Sequence, residues 1–198
     1  MKIIRGEGNN GRFSIIADVS NEVLKVLREN ICPELIQSPE AISLAAPTDK
    51  NADFQLGLYL YDIQELREYQ QMDMIRMKGN QGQYPPKPLN LFYALYINSK
   101  SQLMSNAENE QRILGRAIQV LMDNAILFQP DNEEESRGSI TLLPLSYEEK
   151  TKVWSALSLP SQLAVYFSVS PVLLSSRRIR TFKRVVAAEF DISQRNTL

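Results

Sequence analysis

Arg177, Arg178, Arg180, Lys183 and Arg184 set five cationic side chains in one short stretch, the densest group of chemically capable residues in the chain. Guanidinium groups at that density suit bidentate pairing with carboxylates, which makes the stretch a candidate docking strip for an acidic surface on another protein. The competing reading is a solvated strand end. Nucleic-acid binding fits poorly, because such surfaces add stacking aromatics and net positive charge. Here Phe182 is the only aromatic within the basic run, and 22 basic against 23 acidic side chains leave a formal charge of −1.

Other chemistry is sparse. The chain has no histidine, which removes the usual general base, the commonest zinc ligand and any Ser-His or Cys-His nucleophile pair. Gly6-Glu7-Gly8 is too short to be a dinucleotide fingerprint, and no phosphate-binding G-x-x-x-x-G-K-[ST] loop occurs. Glu133, Glu134 and Glu135 read as a solvated acidic loop in preference to a metal cluster. The expectation is therefore a protein that is not an enzyme, with no catalytic residue, no cofactor and no metal. A hydrolase using paired carboxylates from distant segments stays open as an alternative. The single cysteine, Cys32, cannot form an internal disulfide and reads as a packed, reduced thiol, in keeping with cytoplasmic synthesis. No apolar run of about 18 residues occurs, so no membrane span is expected, and the N-terminus lacks the apolar stretch of a signal peptide.

The elements that would position these groups are legible from periodicity. Hydrophobic content of 43% is ample for one buried core. Val19, Val23, Val26 and Leu27 recur at helical spacing and predict a helix to Ile31, stopped by Pro33. Ala41 to Ala46 reads as a short strand, and Phe54 to Ile63 alternates as a longer one. Its expected faces are Phe54, Leu56, Leu58 and Leu60 on one side and Tyr59, Tyr61 and Ile63 on the other. Residues 64–83 lack core periodicity, with a loop or hairpin tip at Gly79 to Gly82. A strand is expected from Leu89 to Ile97, with Pro85, Pro86 and Pro88 outside it or at its edge. Ser105 and Glu108 read as a capping box opening a helix whose stripe is Ile113, Leu114, Ala117, Ile118 and Leu121 and which ends near Asn124. The apolar Ser139 to Leu145 run, a second capping box at Ser146 and Glu149, a short helix to about Leu159 and an alternating strand from Leu163 to Val169 follow. Tyr59, Tyr61, Tyr93 and Tyr96 are assigned to the wetter face of the sheet, with part of a subunit interface as the other option. Trp154 is expected to anchor a core or an interface.

This order predicts a single α+β domain with a mainly antiparallel sheet and helices packed on one face. It divides as a flexible N-terminal arm (residues 1–12), the α+β domain (13–176) and a basic segment with a C-terminal interaction strand (177–198), where Val185, Val186 and Phe190 supply apolar contacts.

The blocks FQLGLYLYDIQELRE, PPKPLNLFYALYINS, QRILGRAIQVLMDNAIL, LLPLSYEEKTKVWSAL and SQLAVYFSVSPVLLSS, in that order, resemble the Pvc16-type N-terminal domain family of tube-terminating caps in contractile injection systems. The similarity runs from about Val19 to Ser176. Its most specific parts are Leu114-Gly-Arg116 and the L-x-x-L-S-x-E-E-x-x-K-x-W pattern from Leu142 to Trp154. The Gly/Asn-rich stretch before Phe13 departs from the family pattern, as does the lack of the long C-terminal extension of larger members. The resemblance implies a structural cap, or tail terminator. It would form a six-fold ring with copies of itself, bind the inner tube protein and contact the last layer of sheath protein. The particle it joins would be assembled in the cytoplasm and then released or anchored at a membrane. A baseplate, adaptor or assembly protein of the same machine is the alternative. Arg180 to Ile192 is the preferred element for sheath contact, as a strand added to a neighbour's sheet edge, against pairing within its own domain. The N-terminal arm has the same two options, ordering on a neighbouring subunit or not.

Overall fold

The computed structural model describes residues 13–49, 53–69, 73–76, 80–98, 106–127 and 138–182. Its elements in chain order are α1 (Ile15–Ile31), β1 (Ile42–Leu44), β2 (Leu56–Glu65), β3 (Ile75–Arg76), β4 (Gln81–Gln83), β5 (Lys87–Ile97), α2 (Ala107–Asp123), β6 (Ile126–Leu127), β7 (Gly138–Leu142), α3 (Tyr147–Ala156), β8 (Ala164–Leu174) and β9 (Ile179–Thr181). Six strands form the main sheet in the order β1-β2-β5-β8-β7-β6, and β3-β4-β9 form a separate small sheet. All pairings are antiparallel except β1 with β2. The α+β expectation with a mainly antiparallel sheet is borne out.

Helix α1 starts one turn before the expected Val19, because Ile15 and Ile16 extend the apolar stripe. Val19, Val23, Leu24, Leu27 and Ile31 are buried at helical spacing, and each such side chain contributes about 1.5–3 kcal/mol through loss of water contact. On α2, Ile113, Leu114, Ala117, Val120 and Leu121 face the core, whereas Ile118 is only half-buried. Its cap is Asn106, whose side chain accepts from the Asn109 amide at 2.8 Å, one residue after the expected Ser105. An asparagine carbonyl satisfies a free N–H as well as a serine hydroxyl does. The α3 box is as expected: Ser146 Oγ accepts from the Glu149 amide at 3.3 Å and Glu149 Oε2 accepts from the Ser146 amide at 2.8 Å. The Ser146 hydroxyl also donates to Glu149 Oε2 at 2.7 Å, and that bond first, then the one from the Ser146 amide, holds the Glu149 carboxyl below its ordinary range.

Helices α1 and α2 lie on one face of the main sheet over Leu58, Leu91, Tyr93, Leu95, Phe167 and Val169. The short α3 covers part of the opposite face through Trp154, which packs with Phe54 and Tyr96. Phe54 therefore does not share a face with Leu56 and Leu58. It precedes β2, where the chain has not yet entered the pleat. Gly57 is required beneath it, because a Cβ there would stand 2.5 Å from the Tyr96 ring and 2.7 Å from Phe54.

The tyrosine assignment also needs correction. Tyr93 and Tyr96 are buried, at 0% and 1% exposure, and they point to opposite faces. Tyr93 stacks on Phe167 with centroids 5.3 Å apart and shares a 2.9 Å hydrogen bond with Ser20 Oγ. That bond ties β5 to α1 and satisfies a hydroxyl that burial would otherwise leave orphaned. Only Tyr59 and Tyr61 are half-buried. Strand β5 begins at Lys87 and so includes Pro88, beside the irregularity between Leu89 and Leu91 where a missing N–H is tolerated.

Candidate docking surface

The described part of the basic strip runs from the connector after β8 into β9 of the small sheet, a sheet the sequence did not disclose, because its strands are two or three residues long and β4 and β9 pair across almost a hundred residues of chain. Prolines 85 and 86 follow β4, and Ser175 to Arg178 follow β8, so both connectors leave the same end of the main sheet. They are stitched together where the Tyr84 amide donates to Arg178 O at 3.1 Å and Gln83 Nε2 donates to Ser176 O. The Phe182 amide donates to Asn80 O at 2.6 Å, extending the pairing one step past β9.

Register then decides the chemistry. Arg76 pairs with Gly82 and Gly82 with Arg180, so the two arginines flank a glycine on one face of the sheet. Phe182 lies over that glycine, where a Cβ would stand 2.6 Å from its ring. Ile75, Gln83 and Ile179 form the other row, with the isoleucines 45% and 52% exposed and Gln83 buried between them. Arg178 stacks on the Tyr84 ring at 4.6 Å, which fixes its guanidinium without neutralising it. Arg76, Arg177, Arg178 and Arg180 are exposed, and none forms an ion pair with another described residue. Two arginines presented across a short sheet, with an aromatic between them, can engage carboxylates bidentately.

Of the candidate residues, Arg177, Arg178 and Arg180 come together here. Arg76 joins them from a segment with no periodicity, and only strand pairing identifies it. Lys183, Arg184, Val185, Val186 and Phe190 lie outside the described residues, as do Gly6, Gly8 and the Glu133 to Glu135 run. Trp154 is elsewhere: it is 1% exposed, its Nε1 donates to Tyr166 Oη at 2.8 Å, and it meets Tyr96 edge-on with centroids 5.7 Å apart. It is a core anchor.

Two open grooves flank α1. One, of about 650 Å³, is lined by Leu24, Arg28, Cys32 and Pro33. Burial pushes the Cys32 thiol above its ordinary pKa, as suits an unreactive packed cysteine. Arg28 donates to Ile42 O through Nε and Nη2, at 3.0 and 2.6 Å, and so blunts the β1 edge. The other groove, of about 420 Å³, lies between the start of α1 and the β1–β2 edge and is lined by Phe13, Ile16, Leu44, Ala45 and Leu60. Among the described residues no group of His, Cys, Asp or Glu is arranged to hold a metal, and no helix is long and apolar enough to cross a membrane.

No curated protein matches the sequence. Among solved structures, the fold is similar to the sheath/tube terminator of an extracellular contractile injection system, PVC, in its extended state. The TM-score is 0.66 at 18% identity, over 92% of this chain and 65% of that one. It is also similar to the tube-terminating cap of the anti-feeding prophage, with a TM-score of 0.52 at 17% identity, over 89% of this chain and 61% of that one. The chain thus spans somewhat under two thirds of each structure. At such identities the likeness concerns the fold, whereas the sequence itself matches the model of the Pvc16 N-terminal domain across residues 18–188, from α1 through the small sheet and beyond. Over that span, which takes in both described sheets, α2, α3 and all but the start of α1, the chain belongs to the Pvc16 N-terminal domain family.

Proposed function

We propose that this protein is a tail terminator: it binds the end of the inner tube of a contractile injection system, stops tube growth and contacts the last sheath layer. The observation that carries this reading is the family match over residues 18–188, supported by a fold shared with two proteins described as a tube terminator and a tube-terminating cap. The physical task is intelligible. A tube of stacked rings is a heterologous assembly that does not close along its axis, so each end offers a surface competent for further addition. A terminator matches that surface on one side and presents no template on the other. Such a role needs no catalyst, cofactor or metal.

The partners proposed are copies of the same chain in a six-fold ring, the inner tube protein and the sheath protein. The face carrying Arg76, Arg178 and Arg180 is the docking strip for an acidic surface on the sheath. The protein acts inside the cytoplasm during assembly and travels with the finished particle.

The test is the particle length distribution by negative-stain electron microscopy, in cells producing the rest of the assembly with and without this protein. Heterogeneous or sheathless tubes in its absence are expected. Particles of unchanged length would overturn the reading.

A further inference from the structure

Strand β1 pairs only with Leu56 to Leu58, yet β2 continues to Glu65 with β5 on its other side. The outer edge of β2 from Leu60 to Gln64 therefore has no strand partner among the described residues. Where β1 stops, the apolar groove of about 420 Å³ opens beside that edge, and two of its lining residues, Phe13 and Leu44, are 84% and 46% exposed. The edge is not bare of protection. Its pairing with β5 is shifted between Leu60 and Asp62, and it carries exposed Asp62, whereas Glu65 at its end is ion-paired with Lys87 at 2.8 Å. A bulge and an exposed carboxylate discourage indiscriminate pairing and favour a strand that brings a cation to Asp62.

The chain holds a segment with those properties. Val185 to Phe190 alternates Val186, Ala188 and Phe190 with Val185, Ala187 and Glu189, directly after Lys183 and Arg184. The small sheet leads up to it. From Leu174 to Thr181 the chain follows its partner backwards from Lys87 to Gln81, six residues beyond the start of β5 and at most about 20 Å along an extended chain. By Phe182 it lies beside Asn80, in the connection between β3 and β4. Residues 183–198 follow Phe182 in the chain and can span up to about 50 Å when extended.

We infer that residues 185–190 of one copy add as an antiparallel strand to the open β2 edge of a second copy. Charge sets the direction. Lys183 and Arg184 meet Asp62 and Glu68 at the outer end of β2, and Phe190 enters the groove at the β1 end among Phe13, Leu44 and Leu60. Backbone pairing supplies the affinity and the groove supplies the register. Donor arm and acceptor edge are different surfaces, so the contact is head-to-tail and generates a ring or a filament of copies. The inference goes beyond the terminator reading and does not depend on it.

The experiment uses the full chain with Cys32→Ser as background and two further single variants, Phe190→Cys and Leu44→Cys. Mixed and mildly oxidised, they are expected to give a disulfide-linked dimer on a non-reducing gel that neither gives in the same yield alone. Absence of that dimer from folded variants overturns the inference, as does a double variant that links only within one chain in dilute solution. In parallel, Phe190→Asp and Leu44→Asp are expected to weaken self-association by roughly tenfold or more in sedimentation velocity, with unchanged thermal unfolding. Unaltered self-association, or a monomer at every concentration, also overturns it. Strand exchange without length control would sink the terminator reading alone, and length control without strand exchange would sink this inference alone.

Discussion

Trp154 Nε1 donates a 2.8 Å hydrogen bond to the hydroxyl of Tyr166, joining the last turn of α3 to the start of β8 beneath a fully buried indole. That bond fastens the short helix, whose ten residues are too few to be stable alone. Trp154→Phe removes the donor and strands the Tyr166 hydroxyl, so a loss of about 1–3 kcal/mol is expected in urea unfolding. Trp154→Ala adds a cavity and is expected to cost about 3–5 kcal/mol. In a double-mutant cycle Tyr166→Phe should recover part of the Trp154→Phe loss. Additive effects would disprove the coupling.

Ser158 closes α3 in the left-handed conformation, with φ of 56°, while the Ser158 amide donates to Ser155 O at 3.0 Å and the Leu159 amide to Trp154 O at 3.1 Å. This is a Schellman closure, and Leu159 packs back on the Trp154 cluster. A side chain at that φ is strained by roughly 1 kcal/mol, which glycine avoids. Ser158→Gly is expected to raise stability by up to about 1 kcal/mol, read as a higher urea midpoint. A lower midpoint would refute the strain argument.

Burial pushes the Tyr93 phenol up to about 12, against a smaller opposing effect of its bond to Ser20. An unfolded tyrosine ionises near pH 10. Between about pH 10 and 12 the unfolded chain loses this proton and the folded one keeps it. The stability linked to this group is therefore complete below pH 10 and falls as pH rises through that window. Tyr93→Phe should show a shallower alkaline decline in unfolding midpoint than the parent. Identical slopes would contradict the assignment.

Arg178 and Arg180 stand on an exposed three-residue edge strand and its connector, so Arg178→Glu with Arg180→Glu should change unfolding free energy by no more than about 1 kcal/mol. Tube capping by the folded variant is expected to weaken, scored as broadened particle lengths. Normal lengths would eliminate the strip as the docking surface.

Local signals were enough for most elements. The 3.6-residue stripes of α1 and α2, the Ser146–Glu149 box and the alternation of β2, β5 and β8 depend on neighbours a few residues away, so the chain displays them directly. Family membership was legible for the same reason, as an ordered series of local blocks. The sequence also announced the cations at 177–180, but not their company. That Arg76 shares a face with Arg180, that Tyr93 and Tyr96 are buried on opposite sides and that Phe54 sits with Trp154 follow from strand register, from the irregularity at Tyr61 and from where β1 ends. Those are long-range choices. A side chain's type sets what it can do, but the face it occupies depends on pairing with residues far along the chain, and a shift of one position would reverse it.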